Sequence, residues 1–129
     1  MALNRRVRRW RALVPADLDA LALSHHCVEG HTIDLSSEAP WARAAQERWR
    51  FCGIGELVDG QVVSWLLVAP SLNLPSGHPL EGRSRTPEAA VLVALYVDEA
   101  TRGTGAGRHL IQTVAARLSG RVGCIEAAG

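Results

Sequence analysis

The sequence predicts a single α/β (α+β) domain, and two stretches carry that prediction. The first covers residues 89–118: an unbroken apolar run, then Arg102-Gly103-Thr104-Gly105-Ala106-Gly107, then a segment with apolar residues at helical spacing. It reads as strand, glycine loop and helix. The second is Asp59-Gly60, a two-residue turn set between the strand-like runs 54–58 and 61–68, and hence a hairpin. At 129 residues the chain has room for one core and little beyond it, so one domain is expected over 1–129.

Each element has its own reason. Arg5, Arg6, Arg8, Arg9 and Arg11 alternate loosely with Val7, Trp10 and Ala12, which predicts the solvated face of a first strand. Pro15-Ala16-Asp17 opens a helix, with proline in its first turn and an acid at the positive end of its dipole, and Leu18, Leu21 and Ala22 on one face. Residues 25–34 read as irregular. Ser36-Ser37 reads as the cap of a second helix in which Trp41, Ala44, Ala45, Arg48 and Trp49 recur at helical spacing, and its tryptophans are assigned to the core. Beyond the hairpin, Pro70, Pro75, Gly77, Pro79, Gly82 and Pro87 break any regular element, so 70–87 is a long loop. The run 91–97 shows no polar alternation and belongs to a strand covered on both faces. In the helix that follows, Leu110, Ile111, Val114, Ala115 and Leu118 share a face, opposite Arg108, His109, Gln112 and Arg117, and Ser119-Gly120 ends it. Residues 121–127 read as a fifth strand.

Composition narrows the function. Hydrophobic content of 47% with 21% charged residues is ordinary for a soluble globule, and no apolar run is long enough to cross a bilayer. The start of the chain has charge but no apolar core with a cleavage site, which argues for the cytoplasm. Cys27, Cys52 and Cys124 are odd in number and widely spaced, as suits a reducing compartment. His25, His26, Cys27 and His31 lack the pair spacing that closes a tetrahedral metal site, so no metal is expected. The arginine cluster raises nucleic acid as a partner, but a net charge of +1 argues against it.

The glycine loop carries the chemistry. A helix start leaves backbone N–H groups without intrahelical partners and adds partial positive charge, so it favours an anion wherever glycines let one approach. The loop is therefore a phosphate seat, and spacing decides which kind. A phosphate loop of the Gly-Lys-Ser/Thr type is excluded, because the chain contains no lysine. A dinucleotide fingerprint needs a third glycine where Arg108 or Leu110 stands.

The pattern present is Arg-x-x-Gly-x-Gly, from Arg102, Gly105 and Gly107, directly after the strand end Leu95-Tyr96-Val97. It resembles the acyl-CoA motif of the GNAT superfamily of N-acetyltransferases. The likeness is best from Cys52 onward, where the run from Cys52-Gly53 through Asp59-Gly60, Ala69-Pro70 and Ile125-Glu126-Ala127-Ala128-Gly129 is similar to a group of actinobacterial GNAT-like proteins. The resemblance implies a mixed, mostly antiparallel central sheet flanked by helices, with acetyl-CoA as cosubstrate and a primary amine on a small molecule or peptide as acceptor. It places the pantetheine arm on Leu95, Tyr96 and Val97, and the pyrophosphate on Arg102, Gly103, Thr104, Gly105, Ala106, Gly107 and Arg108. The family continues into a helix and two strands that this sequence lacks, so the domain is expected to be incomplete at its C-terminal end. No catalytic residue is assigned: Glu88 and Glu126 are the acids nearest the motif strand and the last strand, and nothing fixes either as a base. Two other readings stand beside transfer, an acyl-CoA-binding module without activity and a nucleic-acid contact through the arginines. The open margin of strand 122–127 implies a homo-oligomer or a partner strand.

Overall fold

The computed structural model describes residues 8–24, 27–28, 31–81, 87–101 and 103–127. Strand β1 (Arg8–Leu13) leads into a 3-10 turn at Pro15–Asp17 and helix α1 (Leu18–Ser24). Short strands β2 (Cys27–Val28) and β3 (His31–Thr32) pair with each other, so the segment expected to be irregular contains a small antiparallel ladder. Helix α2 (Pro40–Trp49), strands β4 (Gly53–Val58), β5 (Gln61–Pro70) and β6 (Ala90–Tyr96), helix α3 (Ala106–Leu118) and strand β7 (Ile125–Glu126) follow.

The main sheet has the order β1-β4-β5-β6-β7. Its first three pairings are antiparallel and only β6 with β7 is parallel, because α3 carries the chain back across the sheet between those two strands. The mixed, mostly antiparallel architecture is therefore present. The hairpin between β4 and β5 turns at Asp59 (φ 52°) and Gly60 (φ 82°), the two positive values that a two-residue turn matched to strand twist demands.

Both faces of β5 are buried from Ser64 to Pro70. On one, Leu66 and Val68 meet Ile111 and Val114 of α3; on the other, Trp65, Leu67 and Ala69 lie within the core, and α2 is the second helix packed on this strand. Trp41 and Trp49 are core residues, with Trp41 donating its indole N–H to the Asp34 carbonyl at 2.7 Å.

Three expectations are corrected. The cap of α2 is Ala39, not Ser36-Ser37, because Pro40 fixes the first helical position and the Ala39 carbonyl accepts the N–H of Ala42 and of Arg43, each at 3.1 Å. The serines instead form the turn before it, their N–H groups donating to Asp34 and Asp19 carboxylates at 2.9 Å. The buried stripe of α3 is narrower than expected: Leu110, Val114 and Leu118 are buried, whereas Ile111 and Ala115 are exposed. The last strand is two residues long, since Arg121 and Val122 donate their backbone N–H groups to the Leu118 carbonyl in the turn that closes α3.

Candidate functional site

The site grows from a local irregularity in β6. Along β5, Val68 donates its N–H to Cys52 on the β4 side, so its pair mate Leu92 turns its own backbone groups away from β5. Between Leu67 and Val68 the register slips, leaving Val93 as an extra residue in β6. Two residues before Val68, Leu66 again faces β4, and its mate Leu95 therefore also turns its N–H and C=O outward. The outer edge of β6 thus presents Ala90, Leu92 and then Leu95. β7 pairs with it only at Ala90 and Val91, beginning with the bond from the Ala90 N–H to the Cys124 carbonyl at 3.0 Å. Beyond Leu92 no described strand lies on that edge, and Leu95 is 37% exposed.

From this edge the chain passes into the glycine loop. Tyr96 packs half-buried against Trp65, ring centroids 5.8 Å apart, and Val97 is half-buried. The Asp98 N–H donates to the Ser64 hydroxyl at 2.9 Å, which ties the loop to β5. A 3-10 turn at Glu99–Thr101 leads to Gly103 (φ 84°) and Gly105 (φ 86°). Arg102 lies outside the described residues.

Gly105 is the N-cap of α3, with no side-chain cap bond and no acid in the first turn. A Cβ on Gly105 would meet nothing within 4 Å, so the space above the helix start is open. Gly103, Thr104 and Arg108 are exposed around it, Gly107 is half-buried, and Ala106 is buried and seats the first turn. Beside the loop, an open groove of about 440 Å³ runs between Trp10 and Arg108, with the Trp10 ring tilted against that of His109, centroids 4.2 Å apart. The geometry joins an open strand edge to an uncapped helix start, a combination suited to an extended amide-bearing arm that ends in an anion.

The candidate bases are not brought to this place. Glu88 is exposed at the far end of β6, beside Arg48, Trp49 and Arg121, roughly 23 Å of strand from the loop. Glu126 sits in β7 opposite Val91, before the open part of the edge, with the Cys124 thiol 3.8 Å from its carboxylate. Sequence reasoning missed the bulge at Val93 and the contact of His78, which reaches the Leu92 carbonyl from the 70–87 loop. An unbroken apolar run does not mark a bulge, and a histidine near prolines gives no sign of its partner. Of the metal-ligand candidates, His25 and His26 lie outside the described residues; among those described, no three His, Cys, Asp or Glu side chains converge on one point. Nor is any described helix long and apolar enough to cross a membrane.

This fold, with its parallel β6-α3-β7 unit opening around a glycine loop, defines a class. The chain belongs to the acetyltransferase (GNAT) family, whose model matches residues 19–128. Among solved structures it is similar to GphF, a GNAT-like decarboxylase in complex with isobutyryl-CoA, at 24% identity and a TM-score of 0.60 over 92% of this chain and 64% of that one. It is similar to yncA from Salmonella typhimurium with its cofactor acetyl-CoA, at 19% identity and a TM-score of 0.56 over 88% of this chain and 64% of that one. It is also similar to a ribosomal-protein-alanine N-acetyltransferase from Brucella melitensis biovar Abortus 2308, at 17% identity and a TM-score of 0.53 over 95% and 80%. At these identities the likeness shows the fold. No curated protein sequence matches the chain.

Proposed function

We propose that the protein is an acyl-CoA-dependent N-acyltransferase that moves acetyl from acetyl-CoA to a primary amine on a small molecule or peptide, in the cytoplasm. Membership of the family supports acyl transfer in general. The observation that carries the cosubstrate is the continuity of the open β6 edge at Leu95 with the uncapped start of α3 at Gly105. Bound acetyl-CoA supplies the acyl thioester. Leu95 offers a backbone N–H and C=O that pair with the pantetheine amides as an added strand would, and Tyr96 and Val97 flank them. Gly103, Thr104, Gly105, Ala106, Gly107 and Arg108, with Arg102 before them, form the pyrophosphate seat, where N–H groups and the helix dipole meet negative charge. Proximity and backbone donors do most of the work in this reading, and no side chain is assigned as base.

A second reading, binding without transfer, is favoured by one observation: neither Glu88 nor Glu126 stands at the open edge. Calorimetric titration with acetyl-CoA tests the shared first step. Gly105→Val should abolish binding with far-UV circular dichroism close to wild type, because its Cβ meets no protein atom and its cost to the fold is confined to the positive φ of 86°. Unchanged affinity in that variant would sink the assignment. Release of CoA thiol with a panel of amines separates the two readings, and tight binding with no release above the buffer rate favours the module.

A further inference from the structure

His78 stands outside every role given so far. It is 4% exposed, although it belongs to the proline-rich connection between β5 and β6. Local bonds hold it there: its N–H donates to the Pro75 carbonyl at 3.2 Å, and its carbonyl accepts from Glu81 at 2.9 Å. The Leu80 N–H donates to Nδ1 at 3.1 Å, and Nε2 lies 2.9 Å from the Leu92 carbonyl. A backbone N–H can only donate and a carbonyl only accept, so the ring is the neutral Nε2–H tautomer, with both nitrogens engaged.

Its acceptor is not an ordinary one. The Leu92 carbonyl points to the outer edge of β6, at the level where pairing with β7 ends and one residue before the bulge at Val93. A strand continuing beside β6 would take that carbonyl for its next bond, and the imidazole takes it instead. The same bond fixes the Leu92–Val93 peptide plane, and so holds the extra residue in the strand. Without the bulge, Leu95 would pair with Trp65 instead of Leu66, turn its backbone groups inward to β5, and the open edge would lose its donor and acceptor.

We infer that His78 is a positioning residue for the acyl-CoA site: its Nε2–H on the Leu92 carbonyl pins the Val93 bulge, so that Leu95 faces outward. This deepens the proposed function and rests on it for the identity of the ligand, but the pinning itself is a property of the free protein.

Three variants separate the two ring nitrogens. In His78→Gln the side-chain amide reaches the Nε2 position and can donate to Leu92. In His78→Asn the amide reaches only the Nδ1 position, keeping the Leu80 contact and losing Leu92. His78→Ala loses both. The first readout needs no ligand: amide hydrogen exchange along β6 in the free protein. Wild type and His78→Gln should exchange the Leu95 amide at least tenfold faster than that of Ala94, and His78→Asn and His78→Ala should lose the contrast. The second readout is the Kd for acetyl-CoA, expected within threefold of wild type for His78→Gln and raised tenfold or more for His78→Asn. If His78→Asn keeps the exchange contrast, or if both readouts in all three variants merely follow their loss of thermal stability, the inference is overturned. If wild type shows the contrast yet does not bind acetyl-CoA, the ligand assignment fails and the pinning stands.

Discussion

Gly105 and Cys52 show what single atoms decide. Gly105 and Gly60 have nearly the same conformation, φ 86° and 82°, and a Cβ on either would meet nothing within 4 Å. Valine at each should therefore cost a similar amount of stability, about 1–2 kcal/mol for forcing a side chain into the left-handed region. Only Gly105→Val should lose acetyl-CoA, so Gly60→Val is the control that separates backbone strain from ligand contact; paired denaturant and calorimetric measurements check it. The Cys52 thiol is pushed up to about 12, mainly by burial and secondly by the negative charge of Asp17, against an ordinary value of 9.0. Its neutral form is the one the fold accepts. Below pH 9.0 that contribution is complete; above it the unfolded chain ionises while the folded one holds its proton, so stability falls by roughly 1.4 kcal/mol per pH unit until about pH 12. Denaturant midpoints above pH 9.0 should fall more steeply for wild type than for Cys52→Ala. Thiol labelling followed by mass spectrometry should modify the exposed Cys124 at once, and Cys52 only when the domain opens.

At the scale of elements, α2 offers the sharpest comparison, because its two tryptophans are equally buried and differ in their polar atom. Trp41 donates Nε1–H to Asp34, while the buried Nε1 of Trp49 has no hydrogen-bond partner among the described residues. Trp41→Phe loses a bond and orphans a carbonyl; Trp49→Phe removes a buried donor that gains nothing. Trp41→Phe should be the more destabilising by about 1–2 kcal/mol in urea unfolding, and equal losses would show that packing alone sets the role of both rings. Helical spacing identified both tryptophans as core. Their difference depends on the Asp34 carbonyl seven residues before Trp41, which no periodicity encodes.

For the whole molecule, β7 is the last strand of the sheet and its outer edge is unpaired among the described elements. Next to it, Ile125 and Ile111 are exposed, and a cavity of about 250 Å³ between α3 and β7 is lined by Leu66, Val68, Leu92, Ile111, Val114, Ile125 and Ala127. Few charges guard this edge, since Glu126 is the single charged residue of β7. A second copy pairing along β7 would cover it. Sedimentation at several concentrations should show an average mass that rises with concentration, and Ile125→Lys should lower it by placing charge on the edge. A monomer throughout the range would show that the edge needs no cover.

The sequence alone determined the elements whose signals are local. Asp59-Gly60 made the hairpin because its two residues tolerate positive φ, and the strand, glycine loop and helix from 89 to 118 followed from a change of apolar period across Gly103, Gly105 and Gly107. Those same residues carried the likeness to the acyl-CoA motif, and so the family. Tertiary structure decided what depends on partners distant in the chain. The bulge at Val93 exists only in register with Leu67 and Val68, and Leu95 faces outward only because of that register. His78 acquires its place from a carbonyl fourteen residues away. Residues 121–124 carry the same apolar pattern as a strand, yet their first N–H groups are drawn to Leu118, because a helix end must satisfy its last carbonyls before the chain can pair elsewhere.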